Sequence, residues 1–175
     1  MSFKNYIFCF VLTSITFSVK GQDMDCWDYK AYLHEQQVPD WFIEFFKGQK
    51  LDIIYKISDF INPFYLEGDF NGDEKIDIAV LIEEKKTTKR GIIICHGTTK
   101  MFYILGAGKT FGNGGDDFVW LDIWKVYRET KVGLGVSETE TISLKGQAIL
   151  VEKSESASAI IYWTGQNYKW YQQGD

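Results

Sequence analysis

The run Asp69-Phe70-Asn71-Gly72-Asp73-Glu74-Lys75-Ile76-Asp77 carries the densest chemistry in the chain. Oxygen-bearing side chains stand at its first, third, fifth and ninth places, as Asp69, Asn71, Asp73 and Asp77, and the carbonyl of Lys75 falls at the seventh. Alternate residues of a tightly curled loop point inward, so these oxygens can reach a common centre. A hard cation such as calcium takes about six to eight oxygens at about 2.3–2.6 Å. Carboxylates crowded this closely repel one another unless a cation lies between them. The spacing therefore predicts a calcium loop with Asp69, Asn71, Asp73, Lys75 and Asp77 as ligands. The alternative reading of the same residues is an acidic β-turn that holds no ion.

This segment resembles the calcium loop of FG-GAP and VCBS-type repeats, whose form is Asp-x-Asn/Asp-x-Asp-Gly-x-x-Asp followed by an apolar strand. Asp69, Asn71, Asp73 and Asp77 match, and Ile78-Ala79-Val80-Leu81 supplies the strand. The likeness implies a metal loop and not a whole propeller. An EF-hand is disfavoured: its twelfth position is Glu, here Val80, and a helix should follow. One departure stands out. The glycine usual at the sixth position is Glu74, at a place that often needs φ > 0, which implies strain, a turn shifted onto Gly72, or weakened binding. The second half, from Gly114-Gly115-Asp116-Asp117-Phe118 to Lys169-Trp170-Tyr171, looks like small exported bacterial proteins with one such loop, and implies only an architecture and a compartment.

Other candidate chemistry fails on spacing. Gly106-Ala107-Gly108-Lys109-Thr110 lacks the glycine a phosphate loop needs at position 103, which is Tyr, and no helix start follows it. Cys95 and His96 are adjacent on an expected strand and so point to opposite faces, which rules out a dyad between them. No zinc spacing occurs. Asp116, Asp117 and Asp122 lie near Trp120 and Trp124, leaving a cell-wall or polysaccharide hydrolase as a third reading, which needs two carboxylates at catalytic separation. A second reading is an interaction or inhibitor protein that binds a partner protein or glycan through exposed aromatics such as Tyr162, Tyr168, Trp170 and Tyr171. The leading expectation is a non-catalytic protein with a structural calcium site.

The elements that must hold the loop follow from periodicity. Residues 25–47 read as a helical segment: one helix to Gln37 with Trp27, Tyr29, Tyr32 and Leu33, then a second from an Asp40 N-cap to Lys47. The stripe Trp41, Phe42, Phe45 and Phe46 reads as core packed on a sheet. After Gly48 the period becomes two, with strands expected at 51–57, 64–69, 75–82, 91–95, 101–105, 118–127, 147–152, 159–163 and 169–172. Close turns between them imply antiparallel pairing. The expected fold class is α+β, mainly antiparallel β as a curved sheet or small barrel, with one or two N-terminal helices packed on it.

Met1 to Gly21 has the layout of a secretory signal, with Lys4 ahead of an apolar stretch and Val19 and Gly21 at the cleavage positions. The expectation is an exported protein, periplasmic or extracellular, with one domain over 22–175 and no membrane span in the mature chain. Cleavage removes Lys4 and Lys20 and moves the net charge from −5 to −7. An acidic chain with a pI near 5.1 excludes a binder of nucleic-acid phosphates. Cys26 and Cys95 remain, either paired or as two separate buried thiols.

Overall fold

A computed structural model describes residues 26–136 and 139–174. The expected signal 1–21 lies outside the described residues. Three helices open the described residues, α1 (Cys26–Gln37), α2 (Asp40–Gly48) and the single turn α3 (Leu51–Ile54). Eleven strands follow: β1 (Tyr55–Ile57), β2 (Tyr65–Gly68), β3 (Asp77–Glu84), β4 (Arg90–Cys95), β5 (Phe102–Gly106), β6 (Ile123–Tyr127), β7 (Lys131–Val132), β8 (Ile142–Ser143), β9 (Ala148–Lys153), β10 (Ala157–Trp163) and β11 (Tyr168–Gly174). All strand pairs are antiparallel, as short connections require. The first sheet runs β1-β3-β4-β5, with β2 also on β3; the second runs β11-β10-β9-β6; β7 and β8 form a separate hairpin. The fold is α+β and mainly antiparallel, with open sheets and no closed barrel.

Register assigns the faces. Ile78, Cys95 and Phe102 stand opposite one another across β3, β4 and β5, and Phe102 meets Phe45 of α2 with ring centroids 5.6 Å apart. Ala79, Ile94 and Tyr103 share the other face, where Tyr103 lies 5.2 Å from Trp163 and 5.1 Å from Tyr168 of the second sheet. The first sheet is thus covered on one side by α2 and on the other by the second sheet. That is why every residue from Ile78 to Ile82 is fully buried and not only one alternate set. The second sheet is covered twice as well. Its outer face holds Ala148, Ile160 and Tyr171 in a smaller core of their own, closed by Val132 of the β7–β8 hairpin.

Several expected elements shift. Leu51–Ile54 is a helical turn because β3 ends at Glu84, opposite Tyr55, and offers no partner to earlier residues. Phe118–Trp120 is a 3₁₀ turn, with the Asp117 side chain accepting from Val119 N, and pairing with β9 begins only at Ile123. Asp40 sits in the first turn of α2, and Pro39 holds the cap position. In α1, Tyr29 and Tyr32 are exposed, and the helix is tied down by Lys30 and His34 to Asp59, at 3.0 and 3.2 Å. Cys95 is a free, buried thiol whose pKa that burial pushes up to about 12; the side chain of Cys26 lies outside what is described.

Candidate metal loop

The loop from Asp69 to Asp77 links β2 to β3, and its ends are fixed by the pairing of Gly68 with Asp77. Each of the four predicted side-chain ligands has an oxygen that accepts from a backbone N–H of the loop. Asp69 Oδ1 accepts from Gly72 N at 2.6 Å and Asp73 N at 3.0 Å, and its Oδ2 accepts from Glu74 N at 2.9 Å. Asn71 Oδ1 accepts from Asp73 N at 2.9 Å, and Asp73 Oδ1 from Lys75 N at 2.9 Å. These are the local side-chain-to-backbone bonds that let Asp and Asn curl a chain. Gly72 with φ +80° and Glu74 with φ +63° both take the left-handed conformation. The curl is therefore achieved with Glu74 in a region that costs a residue with a Cβ about 1–2 kcal/mol. Lys75 is exposed, and its predicted part is a carbonyl only.

Asp77 differs from the other three. It opens β3 and is fully buried. Its Oδ2 accepts from Phe70 N at 3.0 Å and its Oδ1 from Gly97 N at 2.9 Å, the latter from the turn after β4. Burial pushes its carboxyl up to about 6 against the pull of those two N–H groups, and the neighbouring charges of Asp73 and Asp69 push the same way. No salt-bridge partner for Asp77 occurs among the described residues. The bend 145–147, just ahead of β9, backs the loop: Gln147 N donates to Asp69 O at 2.6 Å, and Gln147 Oε1 accepts from Asp69 N at 3.1 Å. A Cβ on Gly146 would lie 2.5 Å from Asp69 O and 2.6 Å from Gly72 N, so this close approach requires glycine.

Among the described residues, no three His, Cys, Asp or Glu side chains stand around one point at metal-binding range. The donor set is nonetheless of one chemical kind, all oxygen. A carboxylate has about four lone-pair sites, so each acid here keeps acceptor capacity beyond its N–H bonds. Asp73 Oδ2 takes part in no hydrogen bond, while Asp77 has a buried charge facing two like charges. By donor chemistry and charge, these residues fit a hard divalent cation.

The remaining chemistry-bearing residues have structural partners. His96 is buried, with Nε2 2.8 Å from Tyr168 Oη in a cluster with Tyr103 and Trp163, and burial lowers its pKa. Cys95 Sγ meets only the His96 backbone oxygen, at 4.0 Å, so the two make no dyad. Asp116 pairs with Lys89. Asp117 Oδ1 accepts from Arg90 N at 2.9 Å and Val119 N at 3.1 Å. Asp122 Oδ2 accepts from Lys153 Nζ at 2.9 Å. Of the four aromatics expected at a surface, Tyr168 and Tyr171 are buried, and Tyr162 and Trp170 are half-buried.

No relative decides the matter. No protein-family model, no curated protein and no solved structure matches the chain. Sequence reasoning missed Gly97 and Gln147, which complete the loop's bonding from twenty and more residues away and leave no local signal.

Proposed function

We propose that this is an exported, non-catalytic β-rich protein whose Asp69–Asp77 loop is pinned by calcium. The observation that carries the reading is Asp77: a fully buried carboxylate, held by two N–H donors, with only like charges near it. Such a group is costly to ionise unless a cation is supplied. Calcium would cancel the repulsion among Asp69, Asp73 and Asp77. The chain's own residues do the rest: Asp69 curls the loop, Asn71 and Asp73 continue the curl, Lys75 offers its carbonyl, and Asp77 fixes the loop to β3 and to Gly97. The site is structural in this reading, because it sets the hairpin that starts the most buried strand of the first sheet. The engagement of Asp116, Asp117 and Asp122 with separate partners supports a non-catalytic role over a hydrolase.

Calorimetric titration of the chelator-treated protein with calcium tests this, with Asp73→Ala as control. The expected result is saturable heat and a melting temperature raised by calcium, both weakened in the variant. Absence of heat and of any calcium-dependent melting shift in the wild type overturns it. Export is tested separately, by whether the mature N-terminus is Gln22.

A further inference from the structure

We infer that a second site, independent of the calcium loop, binds a neutral pyranose ring in the cleft beside the contacting pair Trp120 and Trp170 at the end of the second sheet. The cleft has a volume of about 370 Å³, at the small end of the range of about 300–1,000 Å³ typical of ligand sites. Strand register builds its floor. Ala159 stands opposite both Val151 and Gln172, and Ala157 opposite Lys153, so these residues share one face with Trp170. Small alanines there leave the sheet surface flat and low beside the two indoles.

Both indoles are held in place before any ligand arrives. Trp170 Nε1 donates to Gln172 Oε1 at 2.9 Å, and Trp120 Nε1 donates to Gly114 O at 2.9 Å. The rings meet edge to face at 5.9 Å. Gln172 is itself saturated, accepting also from Asn113 Nδ2 at 3.3 Å and donating to Ser158 O and Gly174 O at 3.2 and 2.8 Å. A Cβ at Gly112 would come within 2.3 Å of Trp170, so the glycine-rich 112–115 loop lies tight against that indole and carries Asn113 to the cleft mouth. With their N–H groups turned into the protein, the tryptophans offer a ligand only carbon surface. Fixed aromatics of this kind bind at low entropic cost.

The rim selects the ligand class. Its one charged group, Lys153, is balanced by Asp122, so the site has no net charge for an ionic ligand to answer. Its uncommitted polar groups are neutral: the carbonyl and second N–H of Asn113 and the hydroxyl of Ser156. A ring with a C–H face for the indoles and hydroxyls around its edge meets both requirements. No carboxylate lines the cleft, so the sugar is bound and not cleaved.

The test is an NMR titration of the full chain with maltotriose, cellotriose and triacetylchitotriose, following indole N–H signals, alongside retention on the matching insoluble polysaccharides. At least one sugar should shift the Trp120 and Trp170 indole signals saturably, leaving those of Trp41 and Trp124 in place. Ala157→Leu, which fills the floor, should weaken binding at least tenfold with an unchanged circular dichroism spectrum. Asn113→Ala should weaken it about fivefold, the size of one neutral hydrogen bond. Retention by polymer alone, lost in Ala157→Leu, assigns the ligand to long chains; binding of trisaccharides assigns it to free sugars. Three results overturn the inference: no indole shift and no retention with any sugar, binding unaffected by Ala157→Leu, or tighter binding of a flat heterocycle such as adenosine. Loss of calcium affinity in Asp73→Ala with sugar binding intact separates the two sites.

Discussion

Glu74 shows how a single residue can fit its loop's bonding and oppose its backbone. Its N–H satisfies Asp69 Oδ2, yet its φ of +63° belongs to a conformation in which a Cβ crowds the following carbonyl. Glu74→Gly removes that crowding but gives the unfolded chain more freedom to lose. The first effect is the larger, so the variant should be more stable by about 1 kcal/mol, which raises the melting temperature by about 2–4 °C for a chain of this length. Thermal melts of the chelator-treated protein check this, and an unchanged or lowered midpoint refutes it. The sixth position was marked by its residue type alone, because the missing glycine was visible against the spacing of Asp69, Asn71, Asp73 and Asp77. The burial of Asp77 was not visible. It depends on Gly97, and nothing near either residue in sequence announces the other.

At the scale of elements, the loop is a hairpin connection clamped from outside by the bend 145–147. Gly146 is the point of closest approach, so Gly146→Ala should push that bend off Asp69 and Gly72 and weaken both Gln147 bonds. Losing two part-buried hydrogen bonds and the packing between them costs about 2–4 kcal/mol. Denaturant unfolding of Gly146→Ala against Gly146→Ser would show this, both falling well below the wild type. The long strands were legible from period-two patterning: β3, β4, β5, β9, β10 and β11 fall within two residues of the expected positions. What failed was what pairing decides and pattern does not. Leu51–Ile54 has strand-like composition but no partner, and the two-residue strands β7 and β8 are too short to produce any alternation. The sugar cleft was illegible for a related reason, since Trp120 and Trp170 lie fifty residues apart and meet through the pairing order β6-β9-β10-β11.

Across the whole molecule, two cores lie on either side of the second sheet, and they differ in how they are closed. The larger is sealed by many apolar contacts with α2 and the first sheet. The smaller depends on a hairpin of two-residue strands whose described far residues meet Tyr171 and Gln173: Tyr171 Oη lies 2.6 Å from Glu140 O and 3.2 Å from Gly133 O and accepts from Gly135 N at 3.2 Å, and Gln173 Nε2 donates to Gly133 O at 3.4 Å. Tyr171→Phe should leave the main unfolding transition lower by only about 1 kcal/mol. It should also speed amide exchange in β7 and β8 far more than in β3 or β4, because a two-strand hairpin of this length opens separately. Uniform exchange rates in the variant would contradict this. If that flap swings away, Ile160, Leu150 and Ala148 present a greasy strip to water while the rest of the architecture stays intact. Damage at one tyrosine would then surface as clumping of otherwise well-formed molecules, and storage life, more than heat tolerance, would register it first.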